Sequence, residues 1–195
     1  PARVPPPSGG TGRASAAGER GRSRLRPRSW SARTATPATR PGGRDRSVYL
    51  DTAILVKLVV PEPDSAFYGR LVDGATEVWS SEVSSTEGFA ALLRKEREGS
   101  LATPGRIAAW RQWEAQVAAG SLRLVPMTRA LLRRANRLLE ACHPAVPLRS
   151  LDAIHLASVE ESGTTPLVTN DRVLRAAAAK LGFALAPGPT PRSRA

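Results

Sequence analysis

Cysteine and histidine are nearly missing from these 195 residues. Cys142 stands alone, so the chain cannot close a disulfide on itself. Cys142, His143 and His155 together supply too few ligands for a Cys/His zinc cluster. No apolar run reaches the roughly 18 residues of a membrane-spanning helix, and the first residues lack the apolar stretch of a secretory signal. A reducing cytoplasm is the expected location. Residues 1–46 contain no lysine and almost no aliphatic side chains, whereas 11 arginines stand there against Glu19 and Asp45. The formal charge of +12 is therefore concentrated in an arm. The rest of the chain holds 18 basic and 15 acidic residues, too even a balance for a domain that coats nucleic acid through charge alone.

Rich in Pro, Gly, Ser, Ala and Arg, residues 1–46 cannot bury enough apolar surface to offset the entropy of ordering them. A disordered basic N-terminal extension is expected. An RNA-attracting tail, an inert leader and translated sequence upstream of a later start are its three candidate origins. The abrupt onset of the domain pattern at Val48 favours the last, because valine codons include an alternative start. Residues 187–195 are expected to form a flexible tail, which leaves 47–186 as one domain.

Within that domain, short β-prone runs alternate with helical ones. Val48-Tyr49-Leu50 reads as a buried strand that Asp51 ends. Ile54, Leu55 and Leu58 then continue at helical spacing until Pro61-Glu62-Pro63 stops them. A helix over 64–73 with Asp64 as its cap comes next, then a strand at Glu77-Val78-Trp79 and a long helix over 82–98 closed by Gly99. Thr103 reads as the cap of a further helix reaching about Ala119, with Pro104 in its first turn. Leu122 to Val125 is a strand, 128–141 an arginine-rich helix, and 151–162 a helix capped by Ser150. A short strand at Leu167-Val168, a helix from Asp171 to Leu181 and a last strand over 183–185 complete the pattern. The alternation predicts an α/β fold, a mostly parallel sheet covered on both faces.

Four acids occupy comparable stations. Asp51 ends the first strand, Glu87 lies on the helix after the second, Asp152 sits in the first turn of its helix, and Asp171 follows a strand. In open parallel sheets chemistry gathers beyond the carboxyl ends of the strands. Asp51, Asp152 and Asp171 can converge there, with Glu87 reaching in from an adjoining helix. Each also has a purely structural reading: an N-cap for Asp51, favourable helix-start charges for Asp152 and Asp171, a solvated face for Glu87. Phe89 and Ala90 begin an apolar stretch beside Glu87, which speaks against solvation. Glu82 is its rival, nearer the strand, and reads as a first-turn acid. Packed carboxylates repel one another unless a cation joins them, and hard oxygen ligands without Cys or His suit Mg²⁺ or Mn²⁺. Such an ion binds phosphate oxygens and acidifies an attacking water. Phosphoryl or phosphodiester hydrolysis is the chemistry implied.

The stretch Tyr49-Leu50-Asp51-Thr52-Ala53, Glu87 ahead of Ala90-Ala91-Leu92, the run from Leu151 through Asp152 and His155 to Ala157, and Thr169-Asn170-Asp171 together resemble the PIN-domain ribonucleases, specifically the VapC-type toxins of bacterial toxin–antitoxin pairs. The resemblance covers about residues 48–186, and Leu151 to Ala157 is its most specific piece. It implies a PIN-like three-layer α/β/α fold and a Mg²⁺-dependent endoribonuclease. It also implies a cognate antitoxin protein as inhibitor and a homodimer as the usual assembly. Catalytic and metal-binding roles then fall on Asp51, Glu87, Asp152 and Asp171, with Thr52, Ser81 and Thr169 as polar supports. The expected partners are RNA and an antitoxin gripping the helices around residues 82–119, with no membrane.

Other readings fit less of the chain. A haloacid-dehalogenase-like phosphatase needs a second Asp two positions after Asp51, where Ala53 stands. A phospho-receiver domain needs an acidic pair before its first helix. A PIN scaffold that merely binds partners has no use for all four carboxylates. His155 shares a helix face with Asp152 and reads as support or packing rather than catalysis. Trp110 and Trp113, at helical spacing, read as packing. Arg129, Arg133, Arg134 and Arg137 form either a solvated face or a helix that meets phosphates.

Overall fold

Parallel pairing of four short strands sets the position of Asp51, which directly follows the central strand. The computed structural model describes residues 46–186; the extension expected at the N-terminus, Arg46 aside, and the tail over 187–195 lie outside them. In chain order the elements are β1 (Ser47–Leu50), α1 (Thr52–Val59), α2 (Ser65–Val72), β2 (Glu77–Ser81), α3 (Val83–Arg97), α4 (Thr103–Ala118), β3 (Leu122–Val125), α5 (Arg129–Cys142), α6 (Ser150–Ser162), β4 (Leu167–Val168) and α7 (Arg172–Lys180). The strands lie in the order β3-β2-β1-β4, all parallel.

Alternation along β1 explains the layers. Val48 and Leu50 face one side and pack with α1, α2, α3 and α4 through Ile54, Tyr68, Leu92 and Trp113. Tyr49 faces the other and packs with α5, α6 and α7 through Leu131, Leu156 and Leu174. Tyr49 and Leu50 are completely buried, and each such side chain contributes about 1.5–3 kcal/mol through removal from water. The central strand is thus anchored on both faces, and the residue that follows it is held firmly.

Connections leave β1 in opposite directions. The chain steps through β2 to β3 on one side and returns to β4 on the other. The carboxyl ends of β1 and β4 therefore flank a topological switch point, where open α/β sheets hold their ligands. Asp51 comes directly after β1, and its N–H pairs with the Val168 carbonyl of β4 at 3.2 Å.

Several helix starts differ from the sequence reading. Ala102, not Thr103, caps α4, and Arg149, not Ser150, caps α6; neither start has a side-chain cap bond. Asp64 precedes α2 without a side-chain cap bond because its carboxylate pairs with Lys57 at 2.8 Å. Lys57 also meets Glu62 at 2.5 Å, and Lys95 reaches Glu62 from α3 at 2.7 Å, so the Pro61-Glu62-Pro63 turn is tied by charge to α1 and α3. The last expected strand is reduced to one parallel bridge, Leu185 with Leu167.

Candidate active site

Asp51 and Asp171 are both N-caps, and both are bonded to Thr169, so a cap can also be a candidate site acid. The two readings are compatible because a carboxylate has two oxygens. Asp51 Oδ1 accepts the Ile54 N–H at 2.9 Å, while its Oδ2 accepts the Thr169 hydroxyl. Asp171 Oδ1 accepts the N–H groups of Val173 and Leu174 at 2.7 and 2.9 Å. Thr169 joins the two acids, since its Oγ1 also accepts the Asp171 N–H at 3.0 Å. Arg175 fixes that corner from α7, donating to the carbonyls of Thr169 and Ala186 at 3.0 and 3.1 Å.

Glu87 enters from α3. Its Oε2 accepts the Thr52 hydroxyl and stands 3.0 Å from His155 Nε2, so it meets the residue next to Asp51. Thr52 Oγ1 lies 3.2 Å from the same histidine nitrogen. Asp152 sits one turn before His155 on α6. Its Oδ2 is buried and has no hydrogen-bond partner among the described residues.

Charge and burial work against each other here. Burial pushes the Asp51 carboxyl up; the Thr169 and Ile54 hydrogen bonds and the nearby His155 pull it back, and the Asp171 charge adds to the rise. Burial and then the Asp171 charge raise Asp152. Burial would raise Glu87 too, but hydrogen bonds from His155 and Thr52 outweigh it and hold that carboxyl below its ordinary value. Two carboxyls that resist ionisation beside a third charge form a site that a cation would stabilise. The unpartnered Asp152 oxygen fits such an ion as well, since a buried acceptor left alone costs about 1–3 kcal/mol. Among the described residues no three His, Cys, Asp or Glu side chains form a ready cage.

The PIN domain pattern matches residues 48–180. Ribonuclease VapC35 of Mycobacterium tuberculosis is 34% identical over 148 residues, 72% of this chain and 97% of that protein. Ribonuclease VapC46 of the same species is 33% identical over 143 residues, covering 71% and 95%. The chain belongs to the PIN-domain family. Its curated relatives are ribonucleases of the VapC type, and it is such a ribonuclease. The fold agrees with the crystal structure of M. tuberculosis VapC20, described as a toxin that cleaves the sarcin–ricin loop. That protein matches with a TM-score of 0.56 at 18% identity over 71% of this chain and 98% of that one.

Within this PIN fold, Thr169 bonds to both Asp51 and Asp171, and Thr52, next to Asp51 in the chain, bonds to Glu87; among the described residues no hydrogen bond joins these two groups. Among the described residues the Asp152 side chain bonds to neither group, and the Asp171 charge raises its carboxyl further after burial. Ser81 stands apart: it is buried at the end of β2, receives a 3.4 Å contact from the Val83 N–H, and bonds to none of the four acids. Its neighbour Ser80 is the one tied toward the site, donating to the Leu50 carbonyl at 2.7 Å and pairing with Ser84 at 2.6 Å. Glu82 points elsewhere, its Oε2 accepting the Met127 N–H at 2.9 Å. The sequence reading assigns no site role to Tyr49 or Arg175. A phenol in an otherwise aliphatic strand, and an arginine four residues after a capping aspartate, were the available signals.

Proposed function

We propose that Asp51, Glu87, Asp152 and Asp171 hold one or two Mg²⁺ ions, with Mn²⁺ as a substitute, and that RNA phosphodiester bonds are hydrolysed there. The observation that carries this reading is the Thr169 bridge between Asp51 and Asp171 at the switch point of the sheet, together with a buried Asp152 oxygen that has no partner among the described residues. A bound ion supplies charge neutralisation for the phosphate and acidifies water. The chain's own contribution is positional. Helix starts hold Asp51 and Asp171 through one oxygen each, and Thr52 and His155 hold Glu87 through Oε2.

Cleavage of RNA by the full chain should require Mg²⁺ or Mn²⁺, cease in EDTA, and disappear in Asp51→Asn. Full activity in EDTA, or in that variant, would refute the mechanism. RNA binding in Mg²⁺ without cleavage would instead identify a scaffold.

The partner reading follows from the VapC resemblance. A cognate antitoxin would grip α3 and α4, where Phe89 and Ile107 are exposed, and an arginine from it would pair bidentately with the carboxylates. Co-expression with the neighbouring gene product should suppress toxicity. A homodimer, to be tested by light scattering, is the assembly we propose, in the cytoplasm. Among the described residues no helix is long and apolar enough to cross a membrane.

A further inference from the structure

His155 is 3% exposed and both ring nitrogens are engaged. Nε2 stands 3.0 Å from Glu87 Oε2 and 3.2 Å from Thr52 Oγ1, and Nδ1 stands 3.0 Å from the Tyr49 hydroxyl. The Tyr49 ring meets the imidazole edge-on, with centroids 6.0 Å apart and an interplanar angle of 82°. An ionised carboxylate only accepts hydrogen bonds, so Nε2 must carry the proton that faces Glu87. In the neutral ring Nδ1 is then an acceptor, and the phenol donates to it. Tyr49 suits that role, because a phenol is ordinarily protonated near neutral pH and this one is completely buried against the imidazole.

Thr52 donates to the same Glu87 oxygen. Oε2 therefore receives two donors, while no protein group among the described residues donates to Oε1. We propose that Tyr49 and His155 together position Glu87, fixing the imidazole in the Nε2–H form so that Oε2 is held and Oε1 is left for the cation. His155 is a positioning residue here and does not touch substrate. This inference rests on the reading of Glu87 as a cation ligand.

The test uses the full-length chain, Mn²⁺ as the probe, calorimetric titration without RNA, and cleavage kinetics in parallel. A glutamine amide can donate from near the place of Nε2, whereas an asparagine amide reaches only the place of Nδ1. His155→Asn should weaken Mn²⁺ binding by about 10–100-fold, the usual effect of losing a ligand's hydrogen-bond partner, and His155→Gln should recover most of it. Tyr49→Phe, the mildest change, should weaken binding several-fold. In all three kcat at fixed metal should fall while KM for RNA stays near the wild-type value. Equal losses in His155→Gln and His155→Asn would mark a merely structural histidine and overturn the proposal. If both His155 variants fail to fold by circular dichroism, wild-type Mn²⁺ affinity in Tyr49→Phe overturns it. Uptake that is lost in Asp51→Asn but unchanged in His155→Asn overturns the role of His155 alone. A wild-type chain that takes up no Mn²⁺ overturns the reading of the site and this inference with it.

Discussion

Thr169 donates its hydroxyl to Asp51 across 118 residues of sequence, and both side chains are buried where β1 and β4 end side by side. The same hydroxyl oxygen accepts the Asp171 N–H. One small side chain thus fixes the geometry of two acids at once.

Thr169→Val keeps the shape and removes both bonds. Each buried group left without a partner costs about 1–3 kcal/mol, so urea unfolding should show a loss of about that size or somewhat more. Activity should fall with it, because Asp51 loses a bond that pulls its carboxyl down. Thr169→Ser should retain most of both. A valine variant as stable and active as wild type would show that the bridge is unimportant.

The metal-free protein should show its own pH signature. Burial raises the Asp51 and Asp152 carboxyls, so the folded state keeps their protons at pH values where the unfolded chain has released them. The stability this contributes is complete below the ordinary aspartate value of about 3.9 and is lost as pH rises through the raised folded values. Glu87 acts oppositely: its carboxyl is lowered, so its contribution is present above the ordinary glutamate value and lost as pH falls through the folded one. Asp51→Asn preserves the N-cap, since asparagine caps as well as aspartate, and its amide NH₂, in the place of Oδ2, must donate to Thr169 Oγ1 where the carboxylate accepted from it. In EDTA near neutral pH it should melt a few degrees above wild type, with the advantage vanishing below about pH 4. Thermal unfolding by circular dichroism decides this, and an unstabilised Asp51→Asn at neutral pH would contradict it.

Periodicity made the sheet legible. β1 and β4 are short, mostly apolar runs, and Asp51 and Asp171 follow strands that pair side by side. Helix caps were less legible, because Thr103 and Ser150 stand one residue inside their helices and hydroxyl identity does not reveal such a shift. Ser80 and Ser81 show the strand version of the problem: adjacent residues face opposite sides, and only register tells which side is which. The bonds that organise the site join Thr52 to Glu87 across 35 residues and Tyr49 to His155 across 106. No local pattern encodes contacts of that separation.

Gly88 sets how closely α3 approaches α4. A Cβ there would meet Trp113 Cη2 at 2.8 Å and Cζ3 at 2.9 Å, and the indole is rigid and buried. Gly88→Ala should therefore cost about 1–3 kcal/mol through overpacking and reduce activity, because Glu87 is the preceding residue on the displaced helix. Trp113→Phe in the same chain makes room, and the Trp113 Nε1 has no hydrogen-bond partner to lose. The double variant should be more stable toward urea than Gly88→Ala alone. If it is not, the contact does not limit the approach of the two helices.

Glu82 and Glu87 lie five residues apart, and the structure gives them different work. Glu82 is exposed and accepts the Met127 N–H through Oε2 at 2.9 Å. A glutamine offers the same acceptor, so Glu82→Gln should leave cleavage within about twofold and stability within roughly 0.5 kcal/mol. Glu87→Gln meets a harder constraint. Thr52 and His155 both donate toward Oε2, so the amide oxygen must turn to them. The amide NH₂ then occupies the place of Oε1 and presents hydrogens where the cation would bind. Cleavage should fall by about 100-fold or more, beyond what losing a mere hydrogen-bond partner of a ligand brings, with the fold intact by circular dichroism. Weaker Mn²⁺ binding should accompany the loss. Equal activities in the two glutamine variants would remove Glu87 from the site.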